Sequence, residues 1–369
     1  MPVVPPELCD YVIDYLHNDR KSLTACSLTC REWVPTSRHH LYCEVLLHKP
    51  QLFIAFKRLL QAHPVLGCYV RVLKISRLEK ASSADLAQIE EVLPILLRYL
   101  PNLGSLGGSL LSTSASILRS VPEETPVTEL FLQYCDFPAL EDFARLFYSC
   151  PRLRSLALCG VSWASTTCDV LPRALDAPGL RRLVLGRDVD YASVIGLLLR
   201  GGHHRSIHSL SVTLTSEADA YALSVLLENI GESLTELDIE WHPMRPGSNV
   251  VFLPSSLRIP STVTVERLTI RSAISHAYST PWVTSLLSAV DPARLRTFAL
   301  EIRLLGELDA LDWKTIESIL VPEQFRSLRE VAVKVNIWSG VHMDQLSVRN
   351  LIRHYLPRLH SKGMLRFAS

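Results

Sequence analysis

Residues 127–158 read VTELFLQYCDFPALEDFARLFYSCPRLRSLAL, and their pattern decides the architecture. Val127, Leu130 and Leu132 are spaced apolar-x-x-apolar-x-apolar, and Leu153, Leu156 and Leu158 repeat the phrase. Such spacing puts alternate side chains on one face of a strand. Between the two phrases, Leu140, Phe143, Leu146 and Phe147 fall on one side of a helix predicted over residues 139–150. Pro151 ends that helix and leads into the next strand.

Outward from this stretch the phrase returns in both directions. It appears as Val70-Leu73-Ile75, Leu180-Leu183-Leu185, Ile207-Leu210-Val212, Leu234-Leu237-Ile239 and Val265-Leu268-Ile270, then as Leu295-Phe298-Leu300 and Leu328-Val331-Val333. The middle residues step 130→156→183→210→237, spacings of 26, 27, 27 and 27, then 237→268→298→331, spacings of 31, 30 and 33. The gap 73→130 leaves room for one degenerate copy near Leu103 and Leu106. Helices are predicted in the second half of each unit, over 191–200, 218–229, 281–290 and 312–320. A strand plus a helix cannot bury its apolar side alone, so the units must stack.

This pattern resembles a leucine-rich repeat. The resemblance implies an α/β fold, a solenoid with a curved parallel sheet over residues 67–369. The Asn or Cys that such repeats carry after the strand is met only by Cys135; Val161, Asp188, Thr215, His242, Ala273 and Arg303 stand there in other copies. Apolar packing, not an asparagine ladder, must therefore hold the units. Segments 103–126 and 243–262 are rich in Pro, Gly and Ser and read as loops. A compact α/β domain is the alternative architecture, and the short, nearly equal steps favour the solenoid.

Residues 5–45, PPELCDYVIDYLHNDRKSLTACSLTCREWVPTSRHHLYCEV, are different in kind. Pro5 and Pro6 suit a helix start, Glu7 suits its first turn, and Leu8, Val12 and Leu16 recur at helical spacing. A second helix begins near Ser22 and presents Leu23, Cys26, Leu28 and Cys30; Trp33 closes it and Pro35 is expected to stop it. A third short helix is expected to carry Leu41, Val45 and Leu46. So small a segment is marginal alone. The order Pro-Glu-Leu, then Trp33, then Leu41-Tyr42 resembles the F-box, with Val4 where that family more often has Leu. The resemblance implies docking on a Skp-type adaptor, and through it a cullin, by Pro5, Pro6, Leu8, Ile13, Leu16, Leu28 and Trp33. It also implies the organisation 1–48 F-box, 49–66 linker helix, 67–369 repeats.

The repeats then offer a face to a protein target. Residues between the core positions line it, among them Glu129-Phe131-Gln133 and Ser155-Ala157-Cys159. Glu236, Asp238 and Glu240 form an acidic row beside Arg267 and Arg271, with Trp241 just beyond. These six are the candidate target-binding residues; the competing reading is that the rows pair across the sheet.

Composition supports an interaction protein rather than an enzyme. The 369 residues are 48% hydrophobic, enough for an extensive core, and carry a net charge of +1, which gives nucleic acid or an anionic membrane no handle. No apolar run reaches the ~18–20 residues of a membrane helix, and the N-terminus lacks the features of a signal peptide. Nine scattered cysteines, an odd number, point to reduced thiols and a cytoplasmic or nuclear setting. Phosphate-cradle, dinucleotide and nucleophile-elbow motifs are absent. Gly104, Gly107 and Gly108 lack the lysine of a phosphate loop, and His203, His204 and His208 lack the Glu of a zinc helix. Cys26 and Cys30, one turn apart, suit small apolar packing as well as metal. No cofactor and no metal are expected. The function expected is substrate recognition in an SCF-type cullin–RING ubiquitin ligase; the alternative is a leucine-rich-repeat scaffold outside ubiquitin transfer.

Overall fold

The strands expected from the repeat phrase all form, and within each of the chain's two compact units each pairs in parallel with the next in sequence. The computed structural model describes residues 5–78, 81–111, 115–123, 125–168, 179–242, 256–260, 263–274, 280–321, 325–341 and 343–367. The chain divides into two compact units, 1–178 and 179–369. The expected breaks at 48 and 66 lie inside the first.

The first unit opens with three short helices, α1 (Pro6–Asp14), α2 (Arg20–Thr29) and α3 (Val34–Tyr42). Pro35 lies in the first turn of α3 and starts that helix instead of stopping α2, since a first-turn N–H has no partner to lose. Val45 and Leu46 belong to a strand, β1 (Glu44–Leu47), not to a third helix. Then come α4 (Pro50–Ala62), β2 (Val72–Ser76), α5 (Ser83–Arg98), β3 (Ser105–Leu111), β4 (Glu129–Phe137), α6 (Leu140–Tyr148) and β5 (Ser155–Trp163). Lys74, Gly107, Phe131 and Ala157 stand side by side across β2 to β5. Segment 103–126 is not a loop: it holds β3, which includes Gly107 and Gly108, and a 3-10 turn at Ala115–Ser120.

The second unit runs β6 (Arg182–Leu185), α7 (Tyr191–Arg200), β7 (Ser209–Leu214), α8 (Glu217–Ile230), β8 (Glu236–Trp241), β9 (Arg267–Ile274), α9 (Trp282–Ala289), β10 (Thr297–Leu304), α10 (Trp313–Leu320) and β11 (Glu330–Ile337). It ends with α11 (Gln345–Tyr355), α12 (Pro357–Ser361) and β12 (Leu365–Phe367). Arg182, Ser209, Glu236, Arg267, Thr297 and Glu330 form one row across β6 to β11. Of segment 243–262, only 256–260 is among the described residues.

The repeat phrase supplies the core. Leu130, Leu132, Leu156, Leu158, Leu183, Leu185, Leu210, Val212, Leu237, Ile239, Leu268 and Ile270 are all buried, each stabilising the fold by about 1.5–3 kcal/mol relative to exposure. Helices cover this face. Phe143 of α6 meets Phe137 edge-on at 5.9 Å and stacks on Trp163 at 5.9 Å. Helix starts are written locally: Ser82 and Ser216 cap α5 and α8 in reciprocal boxes with Asp85 and Asp219, and Asp190, Asp312 and Asp344 cap α7, α10 and α11.

One regularity was not expected. Arg77, Leu110 and Tyr134 have φ of +55°, +53° and +52°, and Gly160 has +62°. Each directly follows one of Ser76, Ser109, Gln133 and Cys159, which are register neighbours in β2 to β5. Four consecutive strands of the first unit therefore kink at the same level. Gly160 is required there: a Cβ on it would stand 2.5 Å from Tyr134 Cδ1.

Candidate interaction surfaces

The helical head is built to expose one apolar stripe. Leu8, Tyr11, Val12 and Tyr15, spaced i, i+3, i+4, i+7, share one face of α1 and its end, and they are 54%, 59%, 60% and 69% exposed. Leu28 of α2 is 82% exposed. The head is nonetheless held together from within. Ile13 and Leu23 are fully buried. Thr36 Oγ1 donates to Asp10 at 2.5 Å and His40 Nε2 lies 2.7 Å from Asp14, tying α3 to α1. Asp19 caps α2 by accepting from the amides of Lys21 and Ser22 at 3.0 and 3.1 Å, and the hydrogen bonds from Ser22 hold its carboxyl below the usual range. The Tyr11 and Tyr15 hydroxyls are 2.7 Å apart, which raises the Tyr15 phenol.

The seven adaptor-facing candidates therefore fall in different places. Pro5, Leu8 and Leu28 are exposed, Leu16 and Trp33 are half-buried, and Ile13 is a core residue; Pro6 opens α1. Tyr15 was missed. Helical spacing from Leu8 through Tyr11 and Val12 would have reached it.

The second surface is the open face of the strands. In the second unit it is an ion-pair ladder. Arg267 Nη1 is 2.5 Å from Glu236 Oε1, and Arg271 lies between Asp238 at 2.5 Å and Glu301 at 3.3 Å. Arg187 and Arg303 both reach Glu240. Ser211 Oγ donates to Asp238 at 3.0 Å, and Thr213 Oγ1 to Glu240 at 3.4 Å. Register explains the first pair, because Glu236 faces Arg267 on β8 and β9, whereas Arg271, which faces Glu240, turns diagonally to Asp238. Burial pushes the Asp238 carboxyl up, although Arg271 pulls it the other way. Trp241 ends β8 half-buried, beside Leu214. The six target-facing candidates do come together, but four of them are partners of one another, Glu236 with Arg267 and Asp238 with Arg271, and Glu240 is held by Arg187 and Arg303.

Arg187 and Arg303 were not singled out as binding residues. Arg187 reaches Glu240 across β7 and Arg303 across β9, so only the folded register reveals their convergence.

Burial pushes Cys135 up to about 12 and Cys150 up to about 11, which keeps both as inert thiols. Among the described residues, no group of three or more His, Cys, Asp or Glu is placed to hold a metal ion, and no helix is long and apolar enough to cross a membrane. No protein-family model matches the chain, and no curated protein matches it.

Proposed function

We propose that this protein is a substrate receptor of an SCF-type ubiquitin ligase, with residues 5–45 acting as an F-box on a Skp-type adaptor and the repeats holding a protein target. The observation that carries the reading is the exposed stripe of Leu8, Tyr11, Val12, Tyr15 and Leu28. Four large apolar or aromatic side chains on one face of α1, with Leu28 of α2 also exposed, leave unburied apolar surface of the kind that marks a protein-binding site. The F-box resemblance says which partner covers it. The repeats then raise the local concentration of a target beside the ligase.

The test is capture of the purified Skp-type adaptor by the full chain. Leu8→Asp with Leu28→Asp leaves Ile13 and Leu23 in place and should abolish capture while the thermal transition of the repeats persists. Undiminished capture by that double variant would overturn the reading.

A further inference from the structure

One place in the second unit gathers more positive than negative charge. Arg187 follows β6 and Arg303 lies near the end of β10; Glu240 sits between them on β8. Strands lie ~4.8 Å apart, so each arginine reaches inward over one intervening strand. Both end on a single atom: Arg187 Nη2 is 3.1 Å from Glu240 Oε1, and Arg303 Nη2 meets the same oxygen. The other Glu240 oxygen is occupied by Thr213. Glu240's side chain is 11% exposed, whereas those of Arg187 and Arg303 are 39% and 51% exposed. One buried carboxylate is thus a pedestal for two outward guanidinium groups. Each has five N–H donors, and among the described residues only Glu240 takes any from these two.

The surroundings fit. Ala273, the register neighbour of Arg303, puts only a methyl group beside it. His242 lies two residues beyond Glu240, and its ring is held below its usual range by burial first and by the Arg187 charge second, with Glu240 opposing and Arg303 adding less. Just past Arg303, Leu305 and Trp338 are 44% and 64% exposed. They are neighbours: the Trp338 amide bonds Leu304 and the Leu305 amide bonds Ile274, continuing the β9–β10–β11 ladder. Three nearby arginines are by contrast neutralised, Arg267 with Glu236, Arg296 with Glu266, and Arg271 between Asp238 and Glu301. A polyanion such as nucleic acid or a lipid surface needs a row of unpaired cations. A single anionic group needs one spot.

We propose that Arg187 and Arg303 together bind one oxyanion group, a phosphate monoester or a carboxylate, on a segment of a target protein, and that Leu305 and Trp338 receive an apolar side chain next to it. The proposal rests on the receptor reading and names the chemistry of the target. A dianion engages two guanidinium forks better than a single charge does, so phosphate ranks above carboxylate.

The experiment uses the full chain and three degenerate peptide libraries alike except at the centre, which is phosphoserine, glutamate or serine. Phosphoserine peptides should be retained at least about tenfold over serine peptides, with glutamate between and apolar residues enriched beside the anion. Arg187→Gln and Arg303→Gln should each remove the preference, and Arg267→Gln should not. Arg303→Lys keeps the charge and the fold but loses the fork, and should lower the phosphoserine preference severalfold. Equal retention of all three libraries, or a preference that survives both glutamine variants, would overturn the proposal. So would inorganic phosphate that displaces the phosphopeptides at equal molar potency, because the peptide would then contribute nothing. Adaptor capture in the same preparations separates the two readings. Capture without anion preference removes this site alone; anion preference without capture keeps this site and removes the ubiquitin-ligase reading.

Discussion

The open faces of the two units are chemically opposite although their cores follow one rule. In the first unit the face is small and nearly neutral: Ser105, Gly107 and Ser109 on β3 and Ser155, Ala157 and Cys159 on β5 flank Phe131, which is 41% exposed. Lys74 with Glu44, at 2.7 Å, is its one cross-strand ion pair among the described residues. In the second unit the same positions carry the ladder of Glu236, Asp238, Glu240, Arg267, Arg271 and Glu301. The strands differ as well. Those of the first unit kink through Arg77, Leu110, Tyr134 and Gly160, and left-handed backbone costs a non-glycine residue about 1–2 kcal/mol. β9, β10 and β11 instead alternate for eight residues each, with no left-handed residue in them. The buried columns dictate the stacking, and the open columns are left free to specialise.

If that division is right, matched deletions in the two cores should hurt alike. Phe143→Ala and Phe298→Ala remove fully buried rings from the first and second units. Each is expected to destabilise its unit by about 3–5 kcal/mol, read from urea unfolding. A deletion that one unit absorbs and the other does not would break the idea of a common core. The kinks come next in size. Gly160→Ala places a Cβ against the Tyr134 ring in a left-handed backbone, an expected loss of about 1–3 kcal/mol. Removing the ring with Tyr134→Ala should relieve part of that loss, so the double-mutant cycle should show coupling. Simple additivity would mean the ring is not what confines position 160.

The ladder should matter less to stability than its appearance suggests. Arg271→Gln withdraws the cation beside Asp238, whose Oδ1 is buried without a hydrogen bond, and should cost about 1–2 kcal/mol. Arg267→Gln breaks a pair that is 56% and 43% exposed and should cost at most about 0.5–1 kcal/mol, fading in high salt. An Arg267→Gln loss as large as that of Arg271→Gln would deny burial its role in grading the pairs.

Most of the repeat architecture was legible in the sequence because one physical requirement, burial of alternate strand residues, recurs at a fixed step. Leu130, Leu156, Leu183, Leu210 and Leu237 announced β4 to β8. Where that signal weakened, so did the reading. β3 has Gly108 where a core leucine would stand and Gly107 beside it, so its segment read as loop. Pro35 was ambiguous because proline ends one helix as readily as it begins another. The kinks were invisible: Leu110 and Tyr134 are not residues that favour left-handed backbone, and stacking against neighbouring strands overrides their preference. At the candidate sites, the residue types were legible and their partners were not. The acidic and basic rows suggested both binding and pairing, and register alone would set Glu240 against Arg271 and Asp238 against Thr269; only the folded side chains show that Asp238 meets Arg271 while Glu240 is claimed by Arg187 and Arg303. In the head, spacing identified an apolar helix but not that Ile13 turns inward and Leu8 outward.

Titration sharpens the contrast between the units with the smallest effect. Asp85 of the first unit caps α5, and the hydrogen bonds from Ser82 hold its carboxyl below the usual range. Its stabilising contribution is present above the ordinary carboxylate value and is lost as pH falls through the lower folded value. Asp238 is shifted the other way, upward, chiefly by burial. Its folded form binds a proton more readily than the unfolded chain does, so this group opposes folding at neutral pH. Its contribution becomes more favourable as pH falls through the raised folded value, and levels off below the unfolded one. Urea unfolding of the native chain, Asp238→Asn and Asp85→Asn between about pH 6 and 3, across the carboxylate range, reads both. On acidification the native chain should gain stability relative to Asp238→Asn and lose it relative to Asp85→Asn. Slopes of the same sign would mean that Arg271, not burial, governs Asp238, and that the second unit's ladder is a row of strong pairs instead of a half-sunken and imperfectly neutralised one.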